Sequence, residues 1–237
     1  MAAADLSSQD TVLEIGPGIG TLTQELAKKA GKVIAIEKDR NMVDILKETL
    51  KDFKNVQMVK GDILKIEKLK IENYKVVANL PYYIVAPVIR KFLEMIEVRP
   101  QSMILMVQKE VGQRICAKPP HMSLLAISVQ FYATPEIISY VSKKSFWPQP
   151  KVDAAIIKII PKKQRTVLCN LFFKIVKAGF SQPRKQLINN LSLGLKYDKK
   201  KVEAWLLKNK IQPTQRAETL AIRDWLNLTE TGPNSSS

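Results

Sequence analysis

Histidine and cysteine are scarce in this sequence of 237 residues, which has one histidine, His121, and two cysteines, Cys116 and Cys169. A single histidine excludes a histidine-rich zinc site and argues against a Ser-His-Asp triad. The His-x-Glu and Pro-Cys-x-x-Cys signature of the zinc deaminases is also missing, which excludes base deamination. We therefore expect chemistry that uses neither a bound metal ion nor a histidine base.

Long apolar runs are absent as well. No stretch of 18 apolar residues occurs, which excludes a membrane-spanning helix. The first five residues have no basic region followed by an apolar stretch, so no secretory signal is predicted. Hydrophobic residues make up 46% of the chain and charged residues 25%, which suffices for a core. We expect a cytoplasmic protein with one large domain, or a large and a small one.

Acidic residues are too few to balance the basic ones. The chain has 38 Lys and Arg against 22 Asp and Glu, a formal charge of +16. Residues 1–161 hold 23 basic and 17 acidic residues, whereas residues 162–237 hold 15 and 5. Such an excess favours a polyanionic partner, nucleic acid first and an anionic membrane surface second. A merely solvated lysine-rich surface is the simpler alternative.

Apolar runs and amphipathic stretches alternate over the first two thirds of the chain. Strands are predicted at 11–15, 32–37, 56–59, 74–78 and 103–107, and helices at 21–30, 41–53, 87–97 and 124–132. This order indicates a mainly parallel α/β sheet. Two late strands at 136–141 and 153–160, joined by a proline-rich loop, predict an antiparallel end. We predict one domain over 1–161, a basic helical RNA-binding domain over 162–237, and a disordered tail from Thr231.

A glycine-rich turn joins the first strand to the first helix, in the order Glu14-Ile-Gly16-Pro-Gly18-Ile-Gly20. Glycine allows a positive φ and a close approach of ligand to backbone. Glu37 ends the second strand, where a carboxylate can accept hydrogen bonds from both ribose hydroxyls. Asp62 ends the third and can accept one from an adenine amino group. The spacing differs from the nicotinamide fingerprint and favours S-adenosylmethionine.

The fourth strand ends in Asn79-Leu-Pro-Tyr82, and at this point the chain resembles a known family. The family is the ribosomal RNA adenine N6,N6-dimethyltransferases, with the macrolide-resistance methyltransferases as close relatives. The resemblance extends over nearly the whole chain. It is carried by the motifs above together with Phe146-Trp-Pro-Gln-Pro-Lys-Val-Asp153 and Phe180-Ser-Gln-Pro-Arg-Lys-Gln-Leu187. It implies a Rossmann-like class I methyltransferase sheet with a small C-terminal helical domain.

The resemblance also implies roles for individual residues. Cofactor contacts are expected from Glu14, Gly16, Gly18, Glu37, Lys38, Asp62, Ile63 and Asn79. Contacts to the target adenine are expected from Asn79, Leu80, Pro81, Tyr82 and Phe146. Arg184 and Lys185 are expected to bind RNA phosphates at the start of a helix. The expected partner is small-subunit rRNA in a pre-30S-like particle, bound by a monomeric enzyme that needs no membrane.

Two other functions remain open at this point. One is a large-subunit rRNA adenine methyltransferase of the macrolide-resistance type, although those enzymes usually have Asn-Ile-Pro-Tyr. The other is a ribosome-assembly factor that binds the particle without transferring methyl groups. Family members carry a longer segment before the first strand, with a Gln-Asn-Phe-Leu-like motif. We therefore expect this chain to lack part of the cofactor cover.

Overall fold

The computed structural model describes residues 2–162 and 169–232, which divide into two compact units. The first unit comprises residues 2–113 and 132–162. The second comprises, within the described part, residues 114–131 and 169–232.

A seven-stranded sheet forms the first unit. Its strands are β1 (Thr11–Ile15), β2 (Lys32–Glu37), β3 (Val56–Lys60), β4 (Tyr74–Asn79), β5 (Ser102–Gln108), β6 (Ala133–Val141) and β7 (Ala154–Pro161). Their spatial order is β3-β2-β1-β4-β5-β7-β6. The first five strands are parallel, while β7 runs antiparallel to β5 and β6 antiparallel to β7. The predicted α/β class and its antiparallel end are confirmed.

Burial along the strands explains why the central ones were recognisable. Every residue of β1 after Thr11 and of β2 after Lys32 is buried, since a parallel sheet is covered on both faces. The edge strand β3 has no fully buried residue. Continuous apolar runs therefore mark the centre of the sheet, and the edge has a weaker pattern.

Nine α-helices accompany the strands in the described residues. They are α1 (Thr21–Ala27), α2 (Arg40–Thr49), α3 (Val85–Arg90), α4 (Lys109–Ile115), α5 (Leu124–Tyr132), α6 (Cys169–Gly179), α7 (Leu187–Leu195), α8 (Lys199–Lys208) and α9 (Ile222–Thr231). A π-helical segment, Lys91–Met95, continues α3.

Several element boundaries differ from the sequence expectation, and two of them are explained by local contacts. Helix α2 begins at Arg40, one residue before its predicted start, and Asp39 caps it, because the Asp39 carboxylate accepts hydrogen bonds from the backbone N–H groups of Asn41 and Met42. Strand β6 begins at Ala133, immediately after α5. Its first three residues pair with β7, so the strand begins three residues before the predicted start at residue 136.

The second unit contains only helices and turns among residues 114–131 and 169–232. Residues 114–131 were expected in the first domain, and their assignment to the helical unit departs from the predicted boundary. The reason is aromatic packing, since the Phe131 ring stacks on Phe172 at 4.2 Å and meets the edge of Phe173 at 5.2 Å.

Two tryptophans complete the core of the second unit. Trp205 and Trp225 are both buried. The Trp205 indole N–H donates to the Thr231 hydroxyl at 3.0 Å, and the Asn209 amide donates to the same oxygen. Thr231 therefore ends a helix and is not part of a disordered tail. Residues 233–237 of that predicted tail lie outside the described residues.

Within the described part of the chain, no helix combines the length and apolar character needed to cross a membrane.

Candidate active site

An open cleft of about 430 Å³ lies at the carboxyl ends of β1, β2 and β4. Its lining consists of Gly16, Gly18, Glu37, Asn79, Leu80, Pro81, Tyr82, Phe146, Pro148 and Pro150. The strand register brings the last three to this edge: Gln108 at the end of β5 pairs with Ala154 at the start of β7. The loop before β7 therefore lies at the same edge as the end of β4. Ligands of open α/β sheets bind in this position.

The glycine-rich turn forms one wall of the cleft. Gly16, Gly18 and Gly20 have φ values of +67°, +60° and +92°, a region that L side chains rarely adopt. A Cβ at Gly16 or Gly18 would meet no atom within 4 Å, so the backbone there is open to a ligand. A Cβ at Gly20 would lie 2.9 Å from Leu46. The first two glycines therefore face the cleft, and the third allows α1 and α2 to pack.

Glu37 is held in place by backbone hydrogen bonds before any ligand binds. Its Oε1 atom accepts from the N–H groups of Lys38 at 2.7 Å and Asp39 at 2.8 Å. Its Oε2 atom accepts from the Gly18 N–H at 3.3 Å, which ties the end of β2 to the glycine-rich turn. A carboxylate offers about four acceptor positions, so this fixed group can still accept a ligand hydroxyl.

Asp62 and Lys38 form an ion pair beside this wall. Lys38 Nζ lies 3.1 Å from Asp62 Oδ2, and Asp62 Oδ1 accepts from the Leu64 N–H at 3.0 Å. The Leu64 N–H, followed by the Lys38 ammonium, holds the pKa of Asp62 below its ordinary value. Asp62 is therefore an ionised acceptor at neutral pH. Neither residue lines the cleft as Glu37 does.

Glu14 and Ile63, both predicted to contact a cofactor, are buried and also absent from the cleft lining. Glu14 lies in the buried strand β1, and within the described residues its Oε2 atom has no hydrogen-bond partner. Burial raises the pKa of Glu14 to about 7; the Thr23 hydroxyl opposes this rise, and the Glu37 charge adds to it. A carboxylate within a continuous apolar strand was the sequence signal for this perturbed group.

The Asn79-Leu-Pro-Tyr82 segment forms the opposite wall. Leu80 is only 2% exposed and anchors the turn in the core, while Asn79, Pro81 and Tyr82 are exposed. Phe146, from the loop before β7, is half-buried and lines the same cleft. The cleft thus has a polar, glycine-rich wall and an aromatic wall with one amide. The predicted base-contacting residues are brought together there.

Two lining residues, Pro148 and Pro150, were not predicted as site residues. The sequence signal was present, because two prolines separated by one residue fix the backbone of a short loop. Their rings add apolar surface beside Phe146.

Arg184 and Lys185 lie in the second unit. They are exposed and occupy the turn before α7, which begins at Leu187. The Lys185 N–H donates to the Gln182 carbonyl at 3.0 Å. The expectation that they start the helix is therefore wrong by two residues. Their exposure leaves both cations open to an anionic ligand.

The sheet order and the cleft define a Rossmann-like methyltransferase. Two solved structures share this fold over 97% of the chain at a TM-score of 0.79: the 23S rRNA methyltransferase ErmE, at 26% identity, and a dimethyladenosine transferase from Plasmodium falciparum, at 28%. The matched region covers 93% of the ErmE chain and 92% of the Plasmodium falciparum chain.

Residues 1–232 match the family model described as ribosomal RNA adenine dimethylase, and the chain belongs to this family. It is 45% identical to the ribosomal RNA small subunit methyltransferase A of Dehalococcoides mccartyi over 96% of this chain and 80% of that protein. The enzyme of the same name from Alkaliphilus metalliredigens is 43% identical over 96% of this chain and 83% of its own length. The family predicted from the motifs is confirmed, and with it methyltransferase activity on ribosomal RNA.

Proposed function

We propose that this protein transfers methyl groups from S-adenosylmethionine to N6 of two adjacent adenosines near the 3′ end of small-subunit rRNA during ribosome biogenesis. One observation carries the proposal: a single cleft joins the glycine-rich turn and Glu37 to the Asn79-Leu-Pro-Tyr82 segment and Phe146. Cofactor and target base would then meet in one place. The volume of about 430 Å³ is in the range of small-molecule sites.

The cofactor fits the polar wall. Its methionine part would lie along the backbone of Gly16 and Gly18, where no side chain intrudes. Glu37 Oε2 would accept the ribose hydroxyls, and Asp62 the adenine amino group. Lys38 would hold Asp62 in position through the ion pair already present, and Ile63 would pack beside the adenine. Glu14 would support the turn from behind, because it is buried.

The reacting nitrogen of adenine is a poor nucleophile, because its lone pair is delocalised into the ring. S-adenosylmethionine, when bound, supplies an electrophilic methyl group. As N6 attacks, positive charge develops on that nitrogen. The Asn79 side-chain oxygen and the Leu80 backbone carbonyl would accept the amino hydrogens and stabilise this charge. Pro81 fixes the backbone, so that these two acceptors converge on one nitrogen.

The two aromatic residues would hold the base. Tyr82 offers its ring face to the adenine and to the developing cation, and Phe146 would cover the other face. The product nitrogen can lose its proton to water, so no histidine is required. Alignment of methyl, sulfur and nitrogen between the two walls would supply much of the rate enhancement.

The natural substrate would be small-subunit rRNA within a pre-30S-like particle. The chain's charge of +16 suits such a polyanion, and Arg184 and Lys185 would bind phosphates. We propose that the protein acts as a monomer and in the cytoplasm, where bacterial ribosomal subunits assemble.

The large-subunit alternative receives less support. The chain is 26% identical to the structure named as a 23S rRNA methyltransferase and 45% identical to enzymes named for the small subunit. Its Leu80 also departs from the isoleucine usual in the resistance enzymes.

The proposal is tested by single-turnover transfer of labelled methyl groups to small-subunit particles, with primer extension to locate the modified bases. Wild type should modify two adjacent adenosines near the 3′ end. Asn79→Ala should lower the rate at saturating cofactor by about 10²–10³-fold, by analogy with a lost oxyanion-hole donor. Tyr82→Phe should be mild and Tyr82→Ala severe, because the ring face makes the contact.

Three results would contradict the proposal. Modification of large-subunit rRNA alone would support the resistance-type enzyme. Particle binding without any methyl transfer would support an assembly factor. Wild-type turnover by Asn79→Ala would reject the acceptor role of this amide.

A further inference from the structure

Trp147 is the most exposed large hydrophobic side chain among the described residues, with 98% of its surface accessible. The other two tryptophans, Trp205 and Trp225, are 4% and 0% exposed. Its two neighbours in sequence, Phe146 and Pro148, both line the cleft. The indole therefore projects into solvent from the rim of the candidate active site. Tryptophan is highly buried on average in folded proteins, so this exposure calls for an explanation.

The loop that carries Trp147 is held at both ends. The Lys143 N–H donates to Asp153 Oδ1 at 3.1 Å, and the Lys109 N–H donates to the Asp153 carbonyl at 2.9 Å. Pro148 and Pro150 restrict the backbone between these points. The indole is thus presented by a largely fixed backbone, which lowers the entropy lost when a ligand packs on it.

A second exposed aromatic ring follows another lining residue of the cleft. Tyr83 is 83% exposed and follows Tyr82, which lines the cleft. Tyr82 and Phe146 lie inside the cleft, and each is followed by an aromatic residue that faces solvent. A strand of RNA that inserts one base between the inner pair would pass its neighbouring nucleotide across this rim.

Lysines flank Trp147 in the sequence. Lys143 and Lys144 precede the aromatic segment, and Lys151 follows it. An open cavity of about 330 Å³ lies beside the loop. Its lining contains Lys109, Lys143 and Lys151 and two acidic residues, one of which is Asp153. Aromatic rings interleaved with lysines are the usual surface for single-stranded nucleic acid, where bases stack and phosphates are neutralised. The same lysines disfavour a second copy of this basic chain.

We propose that Trp147 is a positioning residue that stacks on the nucleobase adjacent to the target adenosine. This inference rests on the proposed function, because it takes the inner pair of rings as the binding place of the target. The stacked neighbour would fix the register of the RNA and hold the target base in the cleft. Trp147 would then act on productive RNA binding and leave cofactor binding unchanged.

The test uses the full chain and small-subunit particles whose rRNA carries either an intact nucleotide or an abasic nucleotide beside the target adenosine. Wild type is compared with Trp147→Ala, with Trp147→Phe, which keeps a ring, and with Met95→Ala, which removes another exposed apolar side chain (68% exposed). The measured quantities are kcat/KM for the particle, the affinity for cofactor, and the quenching of tryptophan fluorescence on RNA binding.

Trp147→Ala should lower kcat/KM about tenfold on the intact particle and less than about twofold on the abasic one, because only the intact neighbour can stack. Trp147→Phe should retain most of the wild-type kcat/KM, and Met95→Ala should behave as wild type. Fluorescence quenching by RNA should vanish in Trp147→Phe, since the remaining tryptophans are buried.

An equal loss on intact and abasic particles, or no loss on either, would overturn the inference, as would quenching that survives in Trp147→Phe. Failure of the proposed function is distinguishable. If wild type binds the particle without transferring methyl groups, the function is wrong, and the fluorescence quenching on intact and abasic particles still decides whether Trp147 stacks on the neighbouring base.

Discussion

Glu37 receives three backbone hydrogen bonds and sits only 8% exposed at the end of β2. Such a carboxylate loses little freedom when a ligand hydroxyl binds to it. We predict that Glu37→Ala weakens S-adenosylmethionine binding roughly tenfold or more, since a hydrogen bond to a charged group contributes about 1.5–3 kcal/mol. Calorimetric titration measures this directly. Glu25→Ala, which removes a surface carboxylate ion-paired with Lys28, should keep wild-type affinity. Equal affinity of both variants would contradict the ribose assignment.

Glu14 should make the stability of the folded protein depend on pH. Burial raises its pKa from 4.5 to about 7, so the folded state retains a proton that the unfolded chain has released. The stabilisation is fully present below about pH 4.5 and is lost as pH rises through about 7. The change is at most about 3 kcal/mol. Denaturant unfolding of wild type and Glu14→Gln at pH 5 to 8 should show a smaller loss of stability for the variant. Parallel profiles would mean that Glu14 does not titrate in this window.

The turn between β1 and α1 has two roles: it leaves backbone open to a ligand, and it allows α1 and α2 to pack together. Gly20 has a φ of +92° and lies under Leu46 and Thr49 of α2. We predict that Gly20→Ala destabilises the protein by more than about 1 kcal/mol, because a left-handed backbone alone costs an L residue roughly that much. Gly61→Ala is the matched control, since its Cβ would meet only Ile66 at 3.7 Å. Urea unfolding should separate the two variants, and similar midpoints would refute the packing role of Gly20.

Some of the strands and helices could be predicted from the sequence, and others could not. The buried strands β1, β2 and β5 were recognisable because each is a short, mostly apolar run in the sequence. The start of α2 was misplaced by one residue because Asp39 and Asn41 can both cap a helix. Residues 114–131 group with the helical unit, and the partner of Phe131, the Phe172–Phe173 pair, lies some forty residues further on. Local patterns do not encode which distant helix a segment meets.

The site was predictable to the extent that it lies at strand ends. Glu37 follows from the rule that parallel strands present their carboxyl ends at one edge, whereas the roles of Asn79 and Tyr82 were implied by the family resemblance. Pro148 and Pro150 line the cleft because their loop lies at this edge of the sheet. The position of the loop depends on the antiparallel pairing of β5 with β7. That pairing is a long-range property, and no spacing within the loop reveals it. The exposure of Trp147 was equally hidden in the sequence.

The positive charge of the chain should govern its binding to RNA. Each phosphate neutralised in single-stranded RNA contributes about −0.7 to the slope of log affinity against log salt. We predict a steep slope for wild type. In the double variant Arg184→Gln and Lys185→Gln the slope should be shallower by roughly 1.4. The measurement is equilibrium binding to small-subunit particles between low and physiological salt.

A control variant separates these cations from the general charge. Lys28→Gln with Lys47→Gln removes the same formal charge from the C-cap of α1 and from α2 in the first unit, where each lysine is ion-paired with a neighbouring carboxylate. A cation already paired on its own surface releases few counterions from RNA, so this variant should keep the wild-type slope. If both double variants change the slope equally, Arg184 and Lys185 act only through net charge. A wild-type slope near zero would show that the basic excess does not contact phosphates, and the affinity would then have to come from base stacking at the rim of the cleft.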